Sequence, residues 1–536
     1  MKPRSRARGW RSPICRGWRL VFTALLLLAA GCVILTGCGR ARESDRSGDW
    51  LRVEIETSPS TLDPRYATDV ISSRIGELIY DSLVKADSRG GFAGDLAQSI
   101  ERPTPTLWVF HLARRCRFSD GKLLTARDVK YTYDSAMKPA SASLKRGSLA
   151  ALARVDAPDA FTVSFTTNGP FAAALELATL GVVPAGTPAN GPRGLPPPGS
   201  GPFKLARFER DEEVMLERNS WWAGQASAMR GIVFKVMPDA IVRALELMKG
   251  LGDFAENNVP AQMLGDLQGR RALRVARYAG VGYQYLIFNF RDPRLRDIRV
   301  RRAIAMAIDR QAIVNSLLAR TARVASGMLA PENWAYEPEV ATYSYDPAAA
   351  ARLLDEAGLR APAGEGPGTR FTLVYKTTGD EERRSLAQVF QAMLAKVGIR
   401  LDVRTNEWAT FYSDIQHGDF DVASLAWVGI NDPHHYYTVF DSKMLPPRGS
   451  NRGYYSNAKM DELLERAEVE MDRDARRRIY GAVQKLAATD LPYVSLWWQD
   501  NVTIMNRRVR GFVPYPNGSW RSFAMISLDG TGEVDR

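Results

Sequence analysis

The sequence predicts a two-lobed α/β protein, and three observations carry that prediction. From Tyr285 onward, strand patterns alternate with helical ones: a buried strand at 285–290, a helix at 300–319, a second at 347–357, then strand 371–376, helix 381–397 and strand 399–403. That succession is how an α/β lobe reads. After Pro492 the chain returns to alternating strands, 493–498 and 502–505, and this return is expected to complete the lobe that began the chain. Finally, 536 residues at 45% apolar exceed what one core organises, so two or more domains are expected.

The first 37 residues read as an export leader. Lys2, Arg4, Arg6, Arg8, Arg11, Arg16 and Arg19 precede the apolar run Leu20–Leu35, and no acidic residue interrupts them. A basic stretch, a short apolar core and small residues before the cut describe a signal segment. Sixteen apolar residues fall short of the ~20 that a spanning helix needs. The run ends in Leu35-Thr36-Gly37-Cys38, which resembles the bacterial lipobox. That resemblance implies lipidation of the Cys38 thiol and cleavage just before it; Ala29-Ala30-Gly31-Cys32 is a weaker competing site without the branched residue. Residues 38–49, polar and without periodicity, read as a flexible tether. An uncleaved anchor helix is the alternative. Either way the body is expected outside the cytoplasmic membrane.

Removing the leader's seven basic residues lowers the formal charge from +12 to +5. A mild excess spread over nearly 500 residues, without a basic run interleaved with aromatics, excludes nucleic acid as a partner. Of four cysteines only Cys116 stays in the mature body unmodified, so no intrachain disulfide is expected and stability must come from burial.

In chain order, Trp50–Ile55 alternates as a strand, and Pro59–Pro64 breaks it with turn residues. Ile71, Ile75, Leu78, Ile79 and Leu83 then recur at helical spacing. Thr106–Leu112 is a strand, Phe118–Lys122 a tight turn, and Thr125 with Asp128 opens a helix as N-cap and first-turn carboxylate. Residues 185–202 form a Pro/Gly loop, and Leu216 and Val233–Val236 lie in short strands. Residues 240–250 form a helix expected to bury Ile241, Ala244, Leu245 and Met248, and Gly358 is a natural C-cap for helix 347–357.

An ordered set of motifs resembles the solute-binding proteins of peptide-type ABC importers, family 5. It comprises Ser60–Pro64 with Tyr80–Val84, Phe118–Val129, Gly199–Leu205, Glu217–Trp222, Asn289-Phe290, Asp297–Ala303, Ala307–Arg310, Tyr345–Pro347 with Leu353–Gly358, Asp432-Pro433, Asn451, Asp461 and Leu463. Together they span 50–525. The resemblance implies a periplasmic-binding-protein type II fold with a hinge between lobes. Lobe I would be 50–284 with a subdomain inserted at roughly 65–195, lobe II 285–492, and 493–536 the return segment. It further implies capture of a solute, most commonly a peptide, for delivery to an ABC permease, by a monomer needing no cofactor.

Candidate site residues cluster late in the chain. Ser424–Tyr437 runs from an apolar strand through Trp427, Val428 and Gly429 to Ile430 and Asp432. In peptide-binding relatives the corresponding strand end lines the cleft, and the peptide adds to it as a β-strand. An Asp just beyond the Trp meets the peptide's α-ammonium there. In this sequence that place falls at or near Ile430, so Asp432 either substitutes or opens an ordinary turn. Trp408, Trp427 and Trp497 offer stacking faces, and Arg452 is available for a carboxylate at the cleft edge. Ser119-Asp120-Gly121-Lys122 satisfies a Ser-x-x-Lys pattern, but in a turn and without a Ser-Asp-Asn partner; Lys376-Thr377-Thr378-Gly379 only approaches Lys-Thr-Gly. Four histidines (His111, His417, His434, His435) hold no metal-ligand spacing. No catalytic residues and no metal are expected. A non-peptide cargo (a sugar or metal chelate) is the runner-up reading, and a surface acyl hydrolase a distant third.

Overall fold

The structure, a computed structural model, describes residues 48–87, 91–141, 143, 145–189, 191, 194–362 and 368–529. The leader, Cys38 and the tether up to residue 47 lie outside the described residues, as do the last seven residues of the return segment.

Among the described residues one eleven-stranded sheet runs through the fold. Its order is Ile399–Asn406, Phe371–Thr378, Val422–Trp427, Leu273–Phe288, Tyr493–Asn506, Phe254–Glu256, Trp50–Ile55, Gly231–Val236, Glu213–Arg218 and Phe203–Glu209, with Ala322–Val324 added beside Tyr493–Asn506. Helices pack on the α/β half formed by the second lobe, and the family of cores follows the same division. Two clusters, around Phe288, Ile304, Tyr375 and Phe390 and around Tyr285, Phe411, Tyr436 and Tyr480, fill the second lobe. Another surrounds Leu51, Ile75, Phe234 and Trp520 in the first. The segment between Leu83 and Val182 has its own core, where a four-stranded antiparallel sheet meets the helix Ala126–Met137 around Phe110, Tyr133 and Phe165.

Two long antiparallel strands join the halves. Leu273–Phe288 and Tyr493–Asn506 pair from Leu273↔Asn506 to Ile287↔Tyr493, interrupted by a register shift between Tyr278 and Gly282. A side chain at Gly280 would place its Cβ 2.2 Å from the Gln499 carbonyl oxygen, so only glycine permits this close approach. Both strands are longer than their hydrophobic pattern. The first half, Leu273–Gly280, carries exposed residues on both faces, Arg274 on one and Arg277 and Ala279 on the other, so its apolar signal is weak. Gln499, Asp500 and Asn501 look like a break in sequence. They continue the ladder because Gln499 pairs with Gly282 and Ala322, while the Asn501 amide donates to Tyr515 O and Pro516 O at 3.1 Å each.

Local expectations fare unevenly. Trp50–Ile55 is a strand over those residues, and Thr125 and Asp128 form a reciprocal capping box, with Thr125 N donating to Asp128 Oδ2 at 2.8 Å. The helix at Ile71 stops at Ile79; Leu83 falls outside it and packs in the subdomain core. The stretch 300–319 is two helices, Ile298–Ala307 and Arg310–Ser316, because Asp309 accepts from Ala312 N (2.9 Å) and starts a new helix. Helix Ala240–Met248 turns a different face inward: Arg243, Ala244 and Leu247 are buried, while Ile241 and Leu245 are exposed. The Arg243 guanidinium donates to the carbonyls of Asn258 and Met237, and those bonds set the rotation.

Candidate functional site

The strand Val422–Trp427 owes its place to pairing on the central strand, with Tyr283 opposite Trp427. Its end carries a stack of aromatic rings. Trp427 lies nearly parallel to Tyr285, with centroids 6.0 Å apart, and Tyr285 stacks on Tyr283 (5.6 Å) and Tyr493 (4.1 Å). The His435 ring meets Trp427 edge-on at 4.4 Å. Arg452 sits over the Trp427 and Tyr412 rings, 4.8 and 5.2 Å from their centroids, and donates to Tyr412 Oη at 3.1 Å. Only 5% of Arg452 is exposed, so this cation is held among aromatic faces instead of standing at a solvated edge. Burial, then the charges of His434 and Arg452, push His435 down to about 3 and keep its ring neutral.

The remaining candidates separate. Val428 is exposed, and Gly429 adopts a left-handed conformation (φ 72°) that ends the strand. Ile430 is buried in the second-lobe core. Trp408 opens the helix Trp408–His417, half-exposed and stacked on Tyr412 at 5.9 Å. Trp497 is 3% exposed within the helix-side core, and strand alternation explains it: Trp498, one residue on, faces the opposite side against Tyr336 and Arg323. A stacking role for Trp497 on cargo is thereby corrected to core packing. Ser119–Lys122 is a turn closed by Phe118 N to Lys122 O (2.9 Å), with Lys122 paired to Asp120.

Asp432 is committed within the protein. Arg476 grips its carboxylate with two hydrogen bonds, 2.7 and 2.8 Å, and His434 N donates to Oδ1 at 2.8 Å. Asp432 N in turn donates to Glu176 Oε1 of the first lobe, 3.1 Å away. His434 Nδ1 lies 2.7 Å from Glu468 Oε1, and Ala172 N donates to Glu468 O at 2.8 Å. Phe171 meets the His434 ring edge-on at 5.3 Å. Burial, then the Asp432 charge, push Glu176 up to about 7. Burial pulls His434 down, but Glu468, Glu176 and Asp432 outweigh it and leave the ring's pKa raised.

This cluster borders a cavity of about 780 Å³ with walls from both lobes, Tyr80, Lys145 and Leu180 on one side and His434, His435 and Arg448 on the other. Such a volume is in the range of small-molecule sites. The three carboxylates lining it, Glu77, Glu176 and Glu468, each accept a hydrogen bond from the protein. The cations Lys145 and Arg448 have no carboxylate within pairing distance among the described residues. No group of His, Cys, Asp and Glu among the described residues could hold a metal ion.

Sequence reasoning missed Glu176, Glu468 and Arg476. Arg476 alone left a signal, since it shares the buried helical face of Tyr480, Val483 and Gln484 where a charge needs a partner. Glu176 lies 256 residues from its contact, and nothing local announces it.

A continuous sheet runs through the fold, and a cavity of small-molecule size is lined by residues from both the early and the late parts of the chain. Residues 91–443 match the bacterial extracellular solute-binding proteins, family 5, and the chain belongs to that family. It is accordingly an extracytoplasmic solute-binding protein of an ABC importer, in a family that binds and does not transform its solutes. The oligopeptide-binding protein AppA of Bacillus subtilis is 28% identical over 528 residues, covering 92% of this chain and 96% of AppA. The probable D,D-dipeptide-binding periplasmic protein DdpA of Escherichia coli K12 is 29% identical over 492 residues, 87% and 92% of the two chains. Among solved structures, B. subtilis AppA in complex with a nonapeptide superposes with a TM-score of 0.78 at 25% identity, over 90% of this chain and 99% of AppA. NikA of Brucella suis in complex with Fe(III)-EDTA gives 0.82 at 22% identity, over 89% and 99%. No described helix is long and apolar enough to cross a membrane.

Proposed function

We propose that the protein captures a peptide between its lobes and presents it to an ABC permease, anchored to the membrane through a lipid on Cys38. The observation that supports this reading is a cavity walled by both lobes, linked to the aromatic strand end through His435, which lines the cavity and meets the Trp427 ring at 4.4 Å. The peptide backbone adds to the exposed segment Trp427-Val428-Gly429 by sequence-blind hydrogen bonds, and the Trp427 and Trp408 faces pack its side chains. Arg452 holds Trp427 and Tyr412 in place from beneath. The lobes meet along the crossing strands, with the bend at the Tyr278–Gly282 register shift. Cargo touching both lobes stabilises the closed form by its differential affinity for it.

Peptide cargo is supported by relatives named for oligopeptide and dipeptide binding. The absence of an available carboxylate at Ile430 and Asp432 supports capture by the backbone without reading of the α-ammonium. One observation favours a second reading, an organic anion other than a peptide: the cleft cations Lys145, facing only Asp69, and Arg448, neither ion-paired among the described residues.

Thermal unfolding with tri- to hexaalanine, free and Nα-acetylated, tests the proposal. Cargo at 100 times its Kd stabilises by about 2.7 kcal/mol. Equal shifts for both forms are the expected result. A shift abolished by acetylation would return an ammonium counter-ion to the site. No shift with any peptide would overturn the peptide reading, and citrate and succinate would then test the organic-anion reading.

A further inference from the structure

Away from the crossing strands, one cluster of ionisable groups bridges the two lobes. The first lobe brings Glu176, on the short helix Ala174–Leu177, with Phe171 and Ala172 just before it. The second brings Asp432 and His434 from the loop after Trp427, Glu468 from the helix Ala458–Val469 and Arg476 from the helix Arg473–Asp490. Trp334 and Tyr480 flank the Arg476 guanidinium, and Tyr437 stacks on His434 at 5.8 Å. His435, next in the chain, is neutral and turned to Trp427, with Arg452 beyond it.

Three carboxylates thus face one permanent cation and one imidazole. With His434 neutral and every carboxylate ionised, the closed cluster would carry two uncompensated negative charges in a half-buried site. Desolvation and like-charge repulsion both oppose that state. Separation of the lobes relieves it, because Glu176 leaves Asp432 and gains water, while Asp432–Arg476 and His434–Glu468 stay within the second lobe.

We propose that closure is proton-coupled: the cluster of Glu176, Asp432, His434, Glu468 and Arg476 takes up protons as the lobes meet, so mild acidity favours the closed form. This goes beyond any choice of cargo and rests only on lobe closure.

The sign follows from both titrating groups. Burial, then the facing Asp432 charge, raise Glu176 from the ordinary carboxylate value of 4.5 to about 7, and separation of the lobes removes the Asp432 charge, so closure weakens as pH rises through this range and levels off above it. His434 is raised in the closed form, in part by Glu176, so its contribution is present at low pH and lost as pH rises through the raised value. The two act in the same direction.

Two backbone amides report closure without cargo, because their hydrogen bonds cross between lobes: Ala172 N to Glu468 O and Asp432 N to Glu176 Oε1. Hydrogen exchange at these amides, corrected for intrinsic pH dependence, measures the closed fraction. The Phe290 amide, bonded to Gly453 O within the second lobe, is the internal reference. Relative protection at Ala172 and Asp432 is expected to fall on the order of tenfold from pH 5.5 to 7.5. In Glu176→Gln, a permanently neutral isostere that still accepts from Asp432 N, most of that fall should vanish. Histidine replacement by His434→Gln should remove a smaller part. The proposal is overturned if wild type and E176Q share one profile, if protection rises with pH, or if neither amide is protected at either pH. Loss of protection at Phe290 in a variant would mark misfolding, and wild type alone then decides by the direction of its profile. Failure of every peptide to bind leaves this measurement untouched, so the two readings fail separately.

Discussion

Trp427 and Asp432 stand five residues apart on one segment and are organised in opposite ways. The side chains packed on the Trp427 ring (Tyr285, His435 and Arg452) all come from the second lobe. That surface is built whether the cleft is open or closed, so little ordering is needed when a solute arrives. Asp432 is completed only when Glu176 arrives from the first lobe. On the readings proposed above, one end of the segment recognises and the other registers that the lobes have met. Preorganised apolar contacts suit the first task, and marginal, titratable ones suit the second, because a switch needs two states close in free energy.

The contrast breaks most severely where a buried charge loses its partner. Arg476→Met leaves the Asp432 carboxylate buried and unpaired and should destabilise the fold by about 3–5 kcal/mol in urea unfolding. The double variant with Asp432→Leu should recover most of that loss, since a well-packed apolar pair often replaces a buried ion pair at no net cost. Trp497→Ala should cost a similar ~3–5 kcal/mol of stability through its cavity. Trp427→Ala, at the recognising end, should instead weaken peptide binding by about 2 kcal/mol in calorimetric titration. If Trp427 and Trp497 exchanged these effects, the assignment of one to cargo and the other to the core would be wrong. Ser119→Ala should change stability by less than about 0.5 kcal/mol and leave binding unaltered, as befits a surface turn.

The α/β alternation of the second lobe was legible because its strands are apolar and its helices carry a clean periodicity, as at 371–378, 381–395 and 399–406. The crossing strands were only half legible. Hydrophobic pattern reports burial, and Leu273–Gly280 is a strand exposed in part on both faces. The rotation of helix Ala240–Met248 was hidden for a different reason, since a guanidinium bonded to two carbonyls overrides the apolar stripe. At the site, the departure at Ile430 could be counted from Trp427, and the structure places that residue in the core. The fate of Asp432 could not be counted, because both partners that decide it lie far along the chain.

The crossing between lobes is a hydrogen-bonded ladder through Leu273–Phe288 and Tyr493–Asn506, not a pair of linkers. A ladder transmits unfolding: fraying at one end removes pairing partners from the other. The two lobes should therefore melt as one cooperative unit, with a single calorimetric transition whose van't Hoff and calorimetric enthalpies agree.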